Sequence, residues 1–521
     1  MHIPTSLLLI AILISFLSLL YPSISYPEGG EDDSGIDRWC EATPHPGPCR
    51  YYLRHGPSAG RENLYQLSLK LTVNLTDHAQ SHLKRLGVRC QSDAERKAWL
   101  DCWRLYTNAA LQLNRTLHRS SNATCSQLDS QTWLSAALTN LETCRKGFAE
   151  LAAPDGFVEP VFRYNVSDLI SNLLAVNKNN SNTTSAVSDA PGWMQLANRR
   201  LLQLKSTRAN LVVARDGSGN FRTIKDAVNA AAAQRRKGRF VIYVKAGVYN
   251  ENVQVVSSFN DLTLIGDGIG KTVITGSRSV ANGYTTFSSP TFSVFGDGFI
   301  ATGITFRNTF GPGSQAVALL SGSDRSIFYR CSIEGYQDTL CVFSQRQFYR
   351  ECDIYGTIDF IFGNAAAVIQ NCNIYARKPR HGESNVITAQ GRSDPNQNTG
   401  IVIHSSRIRA TPEYWLVHRT VKTYLGRPWM QYSRTVYIRN YIDSIIDPVG
   451  WLPFNGNFAL STLFYAEYGN SGPGSRLSMR VRWPGYHIIA RPLYVRQFSV
   501  GRFIAGGTWI RSTGVPYKLG L

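Results

Sequence analysis

The chain repeats itself between residues 328 and 374. Phe328-Tyr329-Arg330-Cys331-Ser332-Ile333, Tyr349-Arg350-Glu351-Cys352-Asp353-Ile354 and Ile369-Gln370-Asn371-Cys372-Asn373-Ile374 set Cys-x-Ile at intervals of 21 and then 20 residues. Ser406-Arg407-Ile408 reads as a further copy. Around these copies, beyond residue 208, short alternating runs rich in Val, Ile, Phe and Tyr are separated by Gly-Asp, Gly-Asn and Gly-Ser turns, the pattern of strands. A strand-built period in the low twenties predicts an all-β parallel β-helix, whose coils stack about 4.8 Å apart. Residues one period apart then become neighbours.

That period carries polar groups with it. Gln315, then Gln337-Asp338, then Asp359 follow at steps of 23 and 21 residues and are expected to stack on one face. Asp359 lies in the apolar run Thr357-Ile358-Asp359-Phe360-Ile361-Phe362, where an unpaired carboxylate is costly. Two carboxyls one coil apart repel, so their pKa values split and one rises. One then suits the role of acid and the other that of nucleophile, while amide side chains such as Gln315 and Gln337 suit a developing oxyanion. An Arg is needed to keep one carboxylate ionised. A single Asp is more often a corner residue of such a fold; the joint placement argues for chemistry. A Ser-His-Asp hydrolase is disfavoured, because no G-x-S-x-G elbow exists and His381, His404, His418 and His487 are the only histidines beyond residue 202. The Gly-rich stretches Gly217–Gly219 and Gly266–Gly270 lack a Walker lysine and read as turns.

The first part of the chain has another period. From about Leu64 to Ala175 apolar residues fall at helical spacing, as in Leu64, Leu67, Leu71, Leu75 and Trp133, Leu134, Ala137, Leu138, Leu141, and these stripes are sufficiently explained as bundle core. Ser92-Asp93-Ala94-Glu95 has the form of a capping box, and the Asp129 region is a second helix start. An all-helical module is expected here. A polar Asn/Ser/Thr-rich linker follows, within 177–207, and contains Arg199-Arg200-Leu201-Leu202, either a processing site or solvated charge. The β part spans 208–521.

An apolar run from Leu7 to Leu20, with Ser23 and Ser25 before Tyr26, reads as a signal peptide over 1–25; it is shorter than the roughly 20 residues of a membrane span. Six sequons, at Asn74, Asn114, Asn122, Asn165, Asn179 and Asn182, support secretion and glycosylation. Ten cysteines in a secreted chain suggest disulfides. No membrane attachment is expected once the leader is removed. The formal charge of +19 is uneven: 19 basic and 18 acidic residues precede Gln203, whereas 36 and 18 follow. The later basic residues are scattered singly through strands rather than gathered in an arm, so a nucleic-acid partner is disfavoured and an acidic polymer favoured.

Five motifs in order now carry a resemblance. Gly247-Val248-Tyr249-Asn250-Glu251, Gln315–Leu319, Gln337-Asp338-Thr339-Leu340, Asp359-Phe360-Ile361-Phe362-Gly363-Asn364-Ala365 and Leu425-Gly426-Arg427-Pro428-Trp429 together resemble the plant pectin methylesterases, and residues 38 to 175 resemble the helical inhibitor domain that precedes the enzyme in longer members. The resemblance implies two domains, an all-α four-helix bundle over 38–176 followed by an all-β right-handed parallel β-helix that releases methanol from methylesterified pectin, acts as a monomer in the plant cell wall and needs no metal or organic cofactor. Asp359 would be the nucleophile, Asp338 the general acid and then base, and Gln315 and Gln337 the oxyanion donors. Arg427 would pair with Asp359, while Thr286, Gln315, Phe360, Arg427, Trp429 and Trp451 would line the sugar cleft. It further implies disulfides Cys40–Cys49, Cys102–Cys144 and Cys352–Cys372, leaving Cys90 and Cys125 as a remaining pair, and puts Cys341 where the family more often has Tyr. Arg199–Leu202 resembles the family's processing motif, so a protease would release the helical part, a pro-region that silences the enzyme or aids its folding; separate inhibitor proteins are the other expected partner. The rivals are a polygalacturonase or pectate lyase, for which neither a Gly-His-Gly motif nor a calcium-type Asp cluster is found, and a binding protein with a dead enzyme domain, disfavoured because Asp338, Asp359 and Arg427 are all present.

Overall fold

The computed structural model describes residues 33–56, 63–118, 125–153, 156, 158–179, 209–234 and 238–521. The expected leader, the Arg199–Leu202 segment and the sequons at Asn122 and Asn182 lie outside them. No described helix is long and apolar enough to cross a membrane.

The helical module starts ahead of residue 38. A short pair, α1 (Asp33–Glu41) and α2 (Pro46–His55), precedes α3 (Leu64–Leu86), α4 (Asp93–Leu117) and α5 (Gln127–Glu150); one turn, α6 (Glu159–Phe162), leads into α7 (Val166–Asn179). The long helices α3, α4, α5 and α7 form the four-helix bundle. Both capping boxes are present: Ser92 and Glu95 close the start of α4, and Ser126 with Asp129 closes that of α5. Such reciprocal caps satisfy helix-end N–H groups that no preceding carbonyl can reach. Cys40–Cys49 ties α1 to α2 and Cys102–Cys144 ties α4 to α5. Cys90 and Cys125, the two cysteines left over in this module, are free thiols and do not pair.

Beyond residue 208 every ladder between strands is parallel, in three sheets of 11, 7 and 8 strands that run the length of a right-handed β-helix. The repeat lies where its period puts it. Register pairs Ile333 with Ile354, Ile354 with Ile374, Ile374 with Ile408 and Ile408 with Ile442, a fully buried column inside the coil. The preceding positions, Cys331, Cys352 and Cys372, stack in the same way, but all are free thiols, which corrects the expected Cys352–Cys372 bridge. The Cys352 N–H donates to Cys372 Sγ at 3.3 Å. The three thiols lie buried in one column, in contact with one another and unbridged. Sequence spacing alone does not show a helix, α8 (Ile224–Ala233), whose Ile224, Ala227, Val228 and Ala231 are buried against the first coils. It covers the open end of the β-helix core.

The two modules share one apolar cluster. Leu105, Leu138, Leu141 and Phe148 of the bundle join Phe295, Leu320, Phe343 and Phe362 of the β-helix. The seven-stranded sheet therefore has the bundle seated on its outer face.

Candidate active site

Each coil turns from the eight-stranded into the seven-stranded sheet at a corner, and the acids stand there. Asp338 follows strand Ser332–Glu334 and precedes Leu340–Val342; Asp359 follows Asp353–Gly356 and precedes Ile361–Gly363. Both have left-handed backbone, φ +59 and +50. Asp tolerates that region better than most side chains, yet it costs about 1 kcal/mol or more. The Asp338 N–H donates to the Ile358 carbonyl at 3.0 Å, which fixes the two corners one above the other.

Arg427, at the end of strand Thr423–Gly426, closes a fork on Asp359: Nε donates to Oδ1 at 2.8 Å and Nη2 to Oδ2 at 2.6 Å. A planar guanidinium on a carboxylate fixes orientation as well as charge. Burial pushes the Asp359 carboxyl up while the Arg427 fork pulls it down, with a net upward shift. Asp338 is pushed well up, first by burial, then by the charges of Asp359 and Glu150. One guanidinium thus serves two carboxyls, and Asp338 is the one left to hold a proton.

These groups open into a cavity of about 190 Å3 with Gln315, Gln337, Thr286 and Trp429 on its wall. Trp429 meets Phe362 edge to face, with centroids 5.9 Å apart. Gly391 allows this approach, because a Cβ there would stand 2.6 Å from the indole. Two aromatic residues expected in the cleft are not there. Phe360 is fully buried and, with Ile361, points into the coil, because the corner at Asp359 ends only where strand Ile361–Gly363 begins; Phe362 faces the cavity instead. Trp451 is 1 % exposed, pairs with Gly426 by a bridge, stacks on Tyr465 at 4.2 Å and donates to Glu467 at 3.3 Å. It supports the Arg427 strand from within.

Sequence reasoning missed Phe287, Phe343 and Phe454, all on the cavity wall; the Arg427 guanidinium lies 4.8 Å from the Phe454 ring. It also missed the bundle's part in the site. The Thr286 N–H donates to Glu150 Oε2 at 2.8 Å, and Lys146 Nζ lies 4.0 Å over the Trp429 ring. Ser393 donates to Glu142 at 2.7 Å, and Thr285 to Asp101 at 2.5 Å. Burial raises Glu142 and Glu150, and raises Asp101 to about 6. The available signal was in α5: from Ser130 to Leu141 it has no charged residue and is buried all round, as in a helix covered on every side. Among the described residues no group of three or more His, Cys, Asp or Glu converges to hold a metal ion.

Two family models match the chain, one on each module. The family model described as Pectinesterase matches residues 210–507, and that of the plant invertase/pectin methylesterase inhibitor matches 34–176. Pectinesterase 2 of Citrus sinensis is 52% identical over 510 residues, 97% of this chain and 98% of its own. A probable pectinesterase/pectinesterase inhibitor of Arabidopsis thaliana, number 17, is 52% identical over 517 residues, 98% of this chain and 99% of its own. Among solved structures, the pectin methylesterase from carrot superposes with a TM-score of 0.60 at 52% identity, covering 61% of this chain and 99% of its own; that from Aspergillus niger does so at 0.51 and 31%, covering 58% and 96%. The chain belongs to the pectinesterase family of carboxylic ester hydrolases, with a plant invertase/pectin methylesterase inhibitor domain joined ahead of its β-helix.

Proposed function

We propose that the β-helix, 208–521, hydrolyses the methyl esters of homogalacturonan by a two-step displacement. An Asp359 oxygen attacks the ester carbonyl carbon, and the oxyanion so formed takes hydrogen bonds from the Gln315 and Gln337 amides. Collapse breaks the bond to the methoxy oxygen, which leaves as methanol with the proton of Asp338. Asp338, now ionised, takes a proton from water as that water attacks the acyl-enzyme. Asp359 departs, the galacturonate carboxyl is formed, and Asp338 is protonated again. The observation that carries this reading is the buried pair of carboxyls on adjacent coils with one guanidinium forked onto Asp359.

The helical domain, 38–176, is in this reading an autoinhibitory pro-region. Its support is that Glu150 and Lys146 stand where a sugar ring would meet Thr286 and Trp429. Cleavage by a processing protease at Arg199–Leu202 frees the cleft, which separate inhibitor proteins of the same fold can cover again. The mature protein is a monomer of the plant cell wall, secreted by its leader and carrying glycans at its sequons. Of the described sequons, Asn74 and Asn179 are exposed and Asn114 and Asn165 half-buried.

Methanol release from highly methylesterified pectin, by residues 203–521 beside the intact chain, tests both parts. Release by the short form far above that of the intact chain is expected. Equal release by both forms removes the autoinhibitory role, and release by neither, with both folded, removes the esterase.

A further inference from the structure

The outward face of the eight-stranded sheet changes character along the β-helix. One outward column runs Arg307, Glu334, Tyr355, Tyr375, Arg409, and the next runs Ser332, Asp353, Asn373, Arg407, Tyr441. In the early coils Arg307 is neutralised by Glu334 at 2.6 Å, and Asp353, which accepts from Asn373 at 2.8 Å, leaves a negative charge rather than a positive one. In the late coils the arginines are not neutralised. Arg407 and Arg409 are exposed, and among the described residues neither has a carboxylate within ion-pair distance. The acid on the next coil, Asp443, accepts instead from the Ser444 N–H at 2.7 Å. Tyr441, 39% exposed, lies beside both, with the Arg409 guanidinium 5.9 Å from its ring.

Two unpaired arginines at i and i+2 on one strand stand about 6.6 Å apart along it and point the same way. Exposed guanidiniums beside an aromatic ring suit a ligand that repeats a carboxylate on a flat, partly apolar ring. Ester hydrolysis on a uronan makes that ligand, since each turnover converts a neutral ester into a carboxylate. We propose that this face, centred on Arg407, Arg409 and Tyr441, binds runs of free uronate, the de-esterified form of the enzyme's own polymer. The ligand's identity rests on the esterase reading above. The face is exposed with the bundle seated on the cleft, so it holds the uncut chain on acidic polymer before the cleft is free.

The test uses the intact chain, where the covered cleft cannot account for retention. It is run through a salt gradient on immobilised polygalacturonate and on immobilised, fully methylesterified pectin. Retention on the polygalacturonate only is expected, weakening with salt. Arg407→Glu with Arg409→Glu should lower the apparent affinity by about tenfold, the combined size of several exposed charge contacts. Arg222→Glu with Lys225→Glu changes net charge equally at the opposite end of the coil stack and should stay within about twofold. Equal retention of the Arg407/Arg409 variant and the parent overturns the proposal; so does an equal loss in both variants, which would mean diffuse charge. Arg407→Gln with Arg409→Gln gives the same answer if the reversed pair does not fold. Methanol release by the cleaved protein is measured in parallel: its absence with retention intact sinks the esterase and leaves the uronate face, whereas its presence with no retention sinks only the face.

Discussion

Two pairs of acids occupy adjacent coils of this β-helix. Asp338 and Asp359 stand at one corner, Asp297 and Asp324 at another, and all four are buried or nearly so. Each pair has one carboxylate in a forked guanidinium: Arg346 donates to Asp324 at 2.9 and 2.6 Å, much as Arg427 holds Asp359. The difference is in the count of cations. Asp297 has its own partner in Arg115 of the bundle, and Arg346 reaches a third acid, Asp129, at 2.7 Å. Asp324 is accordingly held down, to about 2, mainly by Arg346 against the cost of burial. Asp338, with no second guanidinium, is driven well up, first by burial and then by the charges of Asp359 and Glu150; Asp297 also rises through burial and the charge of Asp324, but there Arg115 opposes the shift. Both pairs are buried one coil apart; what differs is that Asp297 of the clamp faces a guanidinium of its own, Arg115, and Asp338 faces none.

Replacing the forked acid in each pair is the strongest way to break this comparison. Asp359→Ala should cut methanol release by roughly 10⁴-fold or more with the fold intact, the scale of losing a nucleophile. Asp324→Ala should leave turnover per folded molecule unchanged but destabilise by about 3–5 kcal/mol, because Arg346 loses its buried partner. Thermal denaturation and active-site-normalised rates separate the two, and a catalytic defect in folded Asp324→Ala would dissolve the distinction. Next in size is Asp338→Asn, which removes the acid but also a carboxyl whose ionisation burial opposes. It should lower kcat by about 10²–10⁴-fold. Because the folded pKa of Asp338 is raised, its ionisation costs stability once pH rises above the unfolded value. The variant should therefore be more stable than the parent at pH 7, by about 1 kcal/mol; a lower melting temperature there would contradict the assignment.

This contrast was half legible in the sequence. The period placed Asp338 and Asp359 on adjacent coils, and a resemblance supplied Arg427, because no spacing rule joins residues 359 and 427. The Asp297–Asp324 clamp was invisible, since two of its partners, Arg115 and Asp129, belong to the other module. Helical periodicity shows that a face is buried but not what covers it. The errors have local causes. Phe360 stands at the Asp359 corner, ahead of strand Ile361–Gly363, and enters the coil, whereas Phe362 within that strand faces the cavity. Trp451 is tied to Gly426 by a single bridge outside any regular strand, so no repeat marks it as interior. The Cys331, Cys352 and Cys372 column has a period that fits stacked thiols as well as a bridge.

Exchanging the guanidiniums sharpens the comparison at smaller cost. Arg427→Lys keeps a positive charge beside Asp359 but loses the fork, so kcat should fall by about 10–10²-fold as the nucleophile loses its orientation. Arg346→Lys should leave kcat alone and cost about 1–3 kcal/mol of stability through the hydrogen bonds lost to Asp324 and Asp129. Measured side by side, the two variants should cross, one in rate and the other in melting temperature. A loss of rate in both would mean that the clamp also shapes the cleft.

The smallest expected effect is on docking of the bundle, and its sign follows from the same acids. Asp101 is raised to about 6 when docked, chiefly by burial, with Thr285, Ser288 and Arg104 pulling it down and Glu150 pushing it up. Glu142 and Glu150 move upward too, each partly offset by Lys146. A group whose pKa rises on docking favours the docked state when protonated, so docking strengthens as pH falls through about 6. Asp129 moves the other way, held down chiefly by Arg346 against the cost of its burial, and its contribution disappears as pH falls below the ordinary carboxylate range. Docking should therefore be tightest between roughly pH 4 and pH 6 and should loosen by up to about tenfold per unit per titrating group above that window. Methanol release by the uncut chain, divided by that of the cleaved chain at each pH, reads this directly. The ratio should rise from pH 5 to pH 7.5, and Asp101→Asn should flatten the rise while Asp129→Asn leaves it in place; a ratio that falls over this range would overturn the assignment of docking to the acids buried at the cleft.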